Sequence, residues 1–246
     1  MDFKIIIYLI NLDGSDERLK TATTCLSHQG IDFRRISAFD GRKIDPVSYP
    51  EYDEVKALSY MGRKLAGGEI GCYFSHVNCA KTFLESDADY AVILEDDMIP
   101  TENLMAKIEQ MLEKLRDQTW FLINIGALKR KIFTPLFNIE HHQISKAHYF
   151  PMTTTGVIWN RSGAQAFLEN AYPIYAPVDN FFRHWLTSNN MGLSVYPPLV
   201  WASDAKSDID HNTKRKYSGR ASNYGVLKQK RLWQDKLIAT KYKFLK

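Results

Sequence analysis

The sequence is poor in cysteine and contains no long apolar run. Its 246 residues include three cysteines, Cys25, Cys72 and Cys79, whose odd number and spacing match neither a disulfide framework nor a zinc motif. The apolar run from Ile5 to Ile10 is too short for a signal-peptide core or a membrane span. We therefore expect a cytoplasmic protein, with peripheral contact to the inner face of the cytoplasmic membrane as a further expectation.

Acidic residues are scarce at the C-terminal end. Residues 214–246 hold eleven Lys or Arg against one acid, Asp235, a net charge of +10, whereas the remainder of the chain carries −6. Aromatic and aliphatic residues are interleaved with these cations, which predicts a basic amphipathic segment that contacts an anionic membrane surface. The alternatives are a solvated basic helix packed on the domain, or nucleic-acid binding. We expect no nucleic-acid partner, because no nucleic-acid module is recognisable and the body is acidic.

The sequence also lacks a glycine-rich phosphate loop with its lysine, an internal repeat and a low-complexity linker. These absences disfavour P-loop enzymes and repeat folds. The composition, 45% hydrophobic and 24% charged, is that of an ordinary globular domain. We assign residues 1–210 to one catalytic domain and residues 211–246 to the basic C-terminal segment.

Strands and helices are predicted to alternate along the first 200 residues. The chain opens with a βαβ unit: a buried strand at 4–11, a helix from 15 to 29 and a strand at 31–39. Later strands are expected at 91–94, 119–125, 148–150, 156–160 and 193–200, and later helices at 69–84, entered through a glycine loop at 67–68, and at 102–116, 162–170 and 179–186. Residues 42–66 are expected to be less regular because of Pro46 and Pro50. This alternation indicates an α/β fold with a mostly parallel central sheet.

Three consecutive acids, Glu95, Asp96 and Asp97, follow the predicted strand at 91–94 directly. Ligands of open α/β sheets bind beyond the carboxyl ends of the strands. Three adjacent carboxylates repel one another unless a cation joins them, and Mg²⁺ and Mn²⁺ prefer carboxylate oxygens. We predict that Asp97 and Glu95 bind a divalent metal. The alternative is a solvated acidic turn.

Polar residues near the other predicted strand ends are candidates for nucleotide contact. Asn11 ends the first strand and Arg18 lies early in the helix that follows it. Ser75 and His76 lie in a helix that is entered through two glycines. Structural alternatives are a surface role for Arg18, and capping or core hydrogen bonding for Ser75 and His76.

Several segments, spaced along residues 4 to 210, carry a family resemblance in the right order. They are Tyr8 to Asp13 with Asp16-Glu17-Arg18, Ala38-Phe39-Asp40-Gly41, Gly68 to His76, Ile93 to Asp97, Thr154-Thr155-Gly156, Gly163-Ala164 and Pro177-Val178-Asp179. Together they resemble glycosyltransferase family 25, the bacterial lipooligosaccharide galactosyltransferases and the related collagen galactosyltransferases. The stretch from Gly68 to His76 is the most specific part of the resemblance.

The resemblance implies a GT-A-type nucleotide-sugar-binding fold and a UDP-sugar donor, most simply UDP-galactose, with Mn²⁺ or Mg²⁺. It implies transfer with inversion, forming a β-linkage, to a lipid-linked oligosaccharide acceptor of lipooligosaccharide or lipopolysaccharide biosynthesis. The implied donor and nucleotide contacts are Asn11, Leu12, Arg18, Asp40, Ser75, His76, Glu95, Asp96, Thr155 and Gly156.

Direct inversion requires a base that takes the proton of the acceptor hydroxyl. Asp179 is the first candidate, Glu69 the second and the pair Asp208/Asp210 the third, while His76 or His211 could complete the metal site. Asp179 could instead stabilise the start of its helix. Two other functions stay open: a different metal-dependent nucleotide enzyme such as a nucleotidyltransferase, and a non-catalytic saccharide-binding protein on the same fold.

Overall fold

The computed structural model describes residues 3–42, 45–203 and 219–244. Within these ranges, ten strands and seven α-helices form a mixed α/β fold. The strands are β1 (Ile5–Asn11), β2 (Arg34–Ser37), β3 (Tyr90–Glu95), β4 (Met98–Pro100), β5 (Leu122–Asn124), β6 (Thr134–Ile139), β7 (His142–Lys146), β8 (Gly156–Asn160), β9 (Gly192–Tyr196) and β10 (Val200–Ala202). The helices are α1 (Asp16–Ser27), α2 (Glu54–Met61), α3 (Gly67–Glu85), α4 (Leu104–Lys114), α5 (Arg161–Asn170), α6 (Val178–Asn189) and α7 (Tyr224–Phe244).

The main sheet has eight strands in the order β2-β1-β3-β8-β5-β9-β7-β6. β1 is parallel to β2 and β3, and β5 is parallel to β9, whereas β8 and β7 are antiparallel to their neighbours. Six of the eight strands therefore run in one direction, and the prediction of a mostly parallel α/β sheet is confirmed. The carboxyl ends of β1, β2, β3 and β5 share one edge of the sheet with the start of β8, where ligands of such sheets bind.

Both faces of the sheet are covered, which explains the continuous apolar character of its central strands. On one face the strands pack with the aromatic side chains of α3, α5 and α6, including Tyr73, Phe167 and Phe182. On the other face they pack with α1 and α4 through Leu26, Ile108 and neighbouring apolar residues. A sheet that is buried on both sides holds its strand ends rigidly, and these strand ends carry the polar residues described below.

The connection after β2 lies directly against the first turns of α3. A Cβ atom added to Gly71 would lie 2.3 Å from the carbonyl oxygen of Phe39, and one added to Gly41 would lie 2.0 Å from that of Gly67. Side chains at these two positions would push the segments apart. Gly41 and Gly71 therefore bring the residues after β2 next to the start of α3. Gly67 and Gly68, predicted as a loop before this helix, form its first turn instead.

Several local predictions differ from the structure, including the following three. The β6–β7 hairpin was not predicted, because most of β6 is exposed and contains Pro135, so it has little apolar periodicity. The helix α2 lies in a region predicted to be irregular, although Asp53 caps it and Gly62 ends it in the left-handed conformation. The segment 148–150 is not a strand; Tyr149 makes only an isolated bridge.

The basic C-terminal segment contains the predicted helix, α7, which packs against α2 and α6. The proposed domain boundary at residue 210 falls within 204–218, outside the described residues, so it stays a prediction. None of the helices in the described ranges combines the length and apolar character needed to cross a bilayer.

Candidate active site

The three acids lie where β3 ends at the carboxyl edge of the sheet. Glu95 is the last residue of β3, and its backbone N–H donates to the carbonyl oxygen of Thr155 at 3.0 Å. Asp96 and Asp97 form the turn to the short strand β4, which pairs with β10. The N–H of Ser203, just after β10, donates to the carbonyl oxygen of Asp97 at 2.6 Å. The acid turn is therefore held by backbone bonds on two sides.

Asp96 is held by two residues, Asn11 and Arg18, that the sequence predicts to contact a nucleotide. Its carboxylate accepts a hydrogen bond from Asn11 Nδ2 at 2.7 Å and forms an ion pair with the guanidinium of Arg18. The side chain is only 8% exposed. Asn11 in turn accepts a hydrogen bond from Arg35 Nε at 2.9 Å, so the ends of β1, β2 and β3 are joined by one polar network.

The negative charge of Asp97 is balanced less well by nearby donors and cations than that of Asp96. Arg18 Nη2 lies 3.8 Å from its Oδ2, and its buried Oδ1 has no hydrogen-bond partner among the described residues. Burial and the negative charges of Glu95 and Asp96 raise the pKa of Asp97 to about 6, although Arg18 opposes the shift. A buried carboxylate oxygen without a partner is costly unless a cation binds it.

The carboxylate of Glu95 is stabilised by Thr154 and His76. Its Oε1 accepts a hydrogen bond from Thr154 Oγ1 at 2.7 Å and lies 3.4 Å from His76 Nε2. Burial opposes ionisation of Glu95, but the bonds from His76 and Thr154 and the charge of Arg18 outweigh burial and lower the pKa of this carboxyl. Glu95 therefore stays ionised over a wide pH range.

These groups open into a cleft of about 140 Å³. Eight of the residues predicted from the sequence line it: Asn11, Leu12, Arg18, Asp40, Ser75, Glu95, Asp96 and Asp97. They come from four separate parts of the chain, which supports the predicted clustering at the strand ends. A wider groove of about 590 Å³ adjoins the cleft and shares Leu12, Asp40 and Ser75 with it.

Other residues line the cleft or order it without having been predicted as site residues. Phe39, Gly41, Arg42 and Cys72 line it, and Arg42 makes a two-point ion pair with Asp40, Nε–Oδ1 at 2.8 Å and Nη2–Oδ2 at 2.9 Å. The signal for Arg42 was its position directly after the turn at Asp40 and Gly41. For Cys72 the signal was its spacing of three residues before Ser75, which places both on one face of α3.

The remaining predicted residues lie around the cleft rather than in its lining. His76 is fully buried behind Glu95, and its Nδ1 has no hydrogen-bond partner among the described residues. Thr155 and Gly156 support β3 from β8, through the Thr155 carbonyl and the pairing of Gly156 with Leu94. Their predicted contact with the nucleotide stays a prediction.

Neither candidate base lies in the lining of the cleft. Glu69 is 2% exposed, accepts two hydrogen bonds of 2.7 Å from Arg63 and caps α3 through the N–H of Ala66. This arrangement favours a structural role for Glu69. Asp179 is half-buried at the start of α6, where burial and the charge of Glu69 raise its pKa. The candidates Asp208, Asp210 and His211 lie outside the described residues.

The cleft has the charge and the donor atoms that a divalent cation requires. Its lining carries four carboxylates, of Asp40 and the three acids at the end of β3, against two arginines, which leaves a net charge of −2 when all are ionised. The unpartnered oxygen of Asp97 lies within this cluster. Carboxylate oxygens suit Mg²⁺ and Mn²⁺. Cys72, His76 and Glu95 also place one ligand atom each within 4.8 Å of one another, a donor set that suits a softer metal.

Comparison with known sequences now identifies the family. The profile described as "Glycosyltransferase family 25 (LPS biosynthesis protein)" matches residues 4–182, which include β1, the acid cluster and the first part of α6. The chain belongs to glycosyltransferase family 25. The resemblance seen in the short motifs is thus confirmed over most of the sequence, and the GT-A-type fold follows from the α/β structure together with this membership.

Relatives of this family 25 chain include active and inactive members, judging by their names. "Procollagen galactosyltransferase 1" of Danio rerio is 28% identical over 90% of this chain and 40% of its own length. "Probable inactive glycosyltransferase 25 family member 3" of Bos taurus is 27% identical over 49% of this chain and 21% of its own length. The chain spans about 40% of the length of the first of these relatives.

Among solved structures, the crystal structure of S. aureus TarS 1-349 aligns with a TM-score of 0.47 and 12% identity. The alignment covers 81% of this family 25 chain and 60% of that chain. A similarity at this level has no bearing on the donor, the acceptor or the metal.

Proposed function

We propose that this chain is a metal-dependent, inverting glycosyltransferase that uses a UDP-sugar donor. The observation that carries the proposal is the acid cluster at the end of β3, where Asp97, which has a buried and unpartnered oxygen, lines a cleft of net negative charge. An anionic nucleotide would not enter such a cleft without a cation. Asp97 and Glu95 would hold Mn²⁺ or Mg²⁺, and Arg18, Asn11 and Asp40 would contact the nucleotide.

The sugar and the acceptor are the finer parts of the proposal. Galactose, from UDP-galactose, is supported by the names of several relatives, which are procollagen galactosyltransferases. A lipid-linked saccharide of lipooligosaccharide or lipopolysaccharide is supported by the description of the family profile as an LPS biosynthesis protein. We favour the saccharide acceptor over a procollagen-like one, because the basic helix α7 suits an enzyme that works at a lipid surface. The product would be a β-linkage.

Each cleft residue has a distinct part in this chemistry. The bound metal would neutralise charge that develops on the diphosphate as it leaves. Arg18 and Asn11 orient Asp96, and Thr154 and His76 orient Glu95, so the carboxylates are held in place before the donor arrives. Such preorganisation avoids movement of charged groups during the reaction.

Asp179 stays the first candidate for the base that takes the acceptor proton. Burial and the charge of Glu69 raise its pKa, which makes the carboxylate a stronger proton acceptor than an exposed aspartate. If Asp179→Asn retains nearly full turnover while donor binding is unchanged, Asp179 is not the base.

The deciding experiment is UDP release by the purified protein. UDP-galactose, UDP-glucose, UDP-GlcNAc and UDP-GalNAc would each be supplied with Mn²⁺ or with EDTA, beside Asp97→Asn. The matched control is Asp32→Asn, which removes an exposed aspartate before β2. We expect release from one donor, lost with EDTA and in Asp97→Asn but retained in Asp32→Asn. Release that persists with EDTA would contradict the metal requirement.

A second candidate function is non-catalytic binding of a nucleotide sugar. The observation in its favour is the Bos taurus relative whose name describes it as probably inactive. In that case UDP and the UDP-sugars would bind with Mn²⁺, measured by calorimetry, while no donor releases UDP. Absence of both binding and release would remove both candidate functions.

The exposed face of α7 supports contact with an anionic membrane. Val226, Trp233, Leu237 and Phe244 are 69%, 60%, 66% and 74% exposed and lie within about 40° of one line along the helix. Arg231, Asp235 and Ala239 are buried on the opposite side. Besides the buried Arg231 and Asp235, the helix carries five lysines that are at least partly exposed, and near an anionic bilayer each such cation contributes about 1 kcal/mol.

Vesicle sedimentation tests this part of the proposal. Vesicles with about 30% phosphatidylglycerol would be compared with neutral phosphatidylcholine vesicles. We expect the protein to sediment with the anionic vesicles, and the double variant Trp233→Gln/Leu237→Gln to stay in solution. The control, Val47→Gln/Val55→Gln, alters two other exposed apolar residues and should sediment normally. Equal sedimentation of all three proteins would contradict membrane contact through α7.

A further inference from the structure

A second cavity, separate in its lining from the acidic cleft, is basic. It encloses about 260 Å³ and is lined by Lys129, Lys131 and Arg183, together with Ala127, Leu128, Tyr149, Pro151, Met152 and Thr153. Among the described residues that line it there is no acid. Its charge is therefore +3, against −2 for the lining of the acidic cleft.

Arg183 is held in place at one wall of the cavity. It lies in α6, its guanidinium stacks 4.9 Å from the ring centre of Tyr149, and its Nε donates to the carbonyl oxygen of Phe150 at 3.1 Å. An arginine fixed in this way loses little conformational freedom when it binds an anion. Lys129 and Lys131 are exposed and supply two further cations from the connection after β5.

The basic cavity lies at the same edge of the sheet as the acid cluster. β5 runs in the same direction as β3, and the segment 126–131 follows its carboxyl end. The carbonyl of Thr153, which lines the cavity, accepts a bond from Asn124 at the end of β5. The next residue, Thr154, donates to Glu95 of the acid cluster. Two residues in sequence thus connect the basic cavity with the metal-binding acids.

The order of the strands assigns a side of the cleft to each substrate. The acidic cleft is built from the ends of β1, β2 and β3, so the nucleotide and its diphosphate occupy that part of the edge. β8 and β5 come next in the sheet, on the far side of β3. The acceptor would therefore bind above β8 and β5, where the basic cavity lies, and the sugar would move toward it from the diphosphate.

We infer that this basic cavity is an acceptor subsite that binds an anionic group, a phosphate ester or a carboxylate, on the acceptor saccharide. The inference rests on the proposed glycosyl transfer and names the class of acceptor for it. Lys129, Lys131 and Arg183 supply the charge-assisted bonds. The exposed apolar side chains of Leu128 and Met152, 60% and 42% exposed, flank the cavity and can pack against the apolar faces of sugar rings.

The test uses simple probes, because an anionic subsite must distinguish a charged sugar from its neutral counterpart. Binding of glucose 6-phosphate, galacturonate and glucose would be measured by saturation-transfer NMR and calorimetry, for the wild type and for Lys129→Gln/Lys131→Gln. The control Lys20→Gln/Lys228→Gln changes the net charge equally at two exposed lysines on α1 and α7. UDP release from the donor would be measured for every protein.

We expect both anionic sugars to bind more tightly than glucose and to lose about tenfold in affinity in Lys129→Gln/Lys131→Gln, but not in the control. UDP release from the donor should be unchanged, since neither lysine lines the donor cleft. Equal binding of charged and neutral sugars would overturn the inference, as would an equal loss in the control variant.

Failure of the proposed function would look different. In that case no protein would release UDP from any donor. The binding measurements would still show whether the basic cavity prefers the anionic sugars to glucose, because they do not depend on UDP release. If only one of the two anionic sugars binds more tightly than glucose, the inference still holds and the subsite accepts that anion alone.

Discussion

At the scale of single residues, the acid cluster is a set of like charges that Arg18 only partly balances. Arg18 pairs directly with Asp96, but its Nη2 lies 3.8 Å from Asp97. The cost of this imbalance is concentrated on Asp97, whose pKa is raised to about 6 mainly by burial. In the proposed site, this loss of stability is the cost of keeping a carboxylate for the metal.

The pH dependence of this cost has a definite sign. Below about pH 3.8, the ordinary value for aspartate, the carboxyl is protonated in the folded and the unfolded chain and costs nothing. As the pH rises toward 6, the unfolded chain ionises first, and the folded state loses about 3 kcal/mol of stability by the time Asp97 itself ionises. That loss persists at neutral pH.

Asp97→Asn should therefore stabilise the metal-free protein at neutral pH while abolishing metal-dependent UDP binding. We expect a gain of up to about 3 kcal/mol at about pH 7.5 and little difference at about pH 3.5, measured by urea unfolding in EDTA. Asp32→Asn serves as the control and should change neither quantity. A metal-free Asp97→Asn protein that is less stable than the wild type at neutral pH would contradict this account.

At the scale of elements, two buried charged residues of α7, Arg231 and Asp235, contact α2 and α6. Arg231 is 8% exposed and donates to the carbonyl of Tyr60 and the sulfur of Met61 in α2, each at 2.9 Å. Asp235, one turn later and 1% exposed, lies 2.8 Å from His184 of α6. The two charges also interact, since burial lowers the pKa of Arg231 and the negative charge of Asp235 opposes that shift.

Replacing only Asp235 should destabilise the protein, since it removes the negative charge that favours the buried guanidinium of Arg231 and leaves His184 without its partner. For Asp235→Leu we expect a loss of about 3 kcal/mol in urea unfolding, with faster amide exchange along α7. The double variant Arg231→Met/Asp235→Leu should recover most of that loss, because apolar side chains then replace both charges. A double variant as unstable as the single one would show that the pair does not govern docking.

The contact between α3 and the connection after β2 has a similar local test. Gly71→Ala would place a methyl group 2.3 Å from the carbonyl oxygen of Phe39, so the wall of the cleft formed by Phe39, Asp40 and Gly41 must move. We expect a loss of about 1–3 kcal/mol in stability and weaker UDP binding by calorimetry. Gly225→Ala, where the added methyl group meets nothing within 4 Å, is the control. Unaltered UDP binding in Gly71→Ala would place the nucleotide away from this wall.

Much of this element pattern could be predicted, and the exceptions have physical reasons. β1 and β3 are continuous apolar runs buried on both faces, and α3 begins at the glycine pair, so their positions follow from simple periodicity. β6 is mostly exposed. β8 runs opposite to its neighbours β3 and β5, although all three strands have the same apolar character. Strand direction is a property of the tertiary fold, which local sequence does not encode.

The candidate site likewise contains some features that the sequence predicts and others that it does not. The position of Glu95, Asp96 and Asp97 at the edge of the sheet was predictable, because they directly follow a buried strand, whereas their binding of a metal stays a prediction. The ion pair of Glu69 with Arg63 was not predictable, since it depends on how the α2–α3 connection folds back. The basic cavity was missed as well, because its cations come from two distant segments that only the sheet brings together.

At the scale of the whole molecule, ligand binding at the strand ends should stabilise the entire α/β domain. A ligand that binds only the folded state adds about 2.7 kcal/mol when its concentration is one hundred times its dissociation constant. For a chain of this size we expect UDP with Mn²⁺ to raise the melting temperature by about 5–10 °C. UDP with EDTA should give no comparable shift in differential scanning fluorimetry, and a shift that is independent of metal would contradict the proposed site.

The arrangement of the two cavities also has an evolutionary consequence. The acidic cleft takes its side chains largely from strand ends and from α3, where a change disturbs the fold. The basic cavity takes Lys129 and Lys131 from the connection between β5 and β6, outside the strands themselves. Descendants of this chain could therefore acquire new acceptors by drift in one surface loop while inheriting the donor chemistry intact, and a laboratory library confined to residues 127–131 would explore the same route.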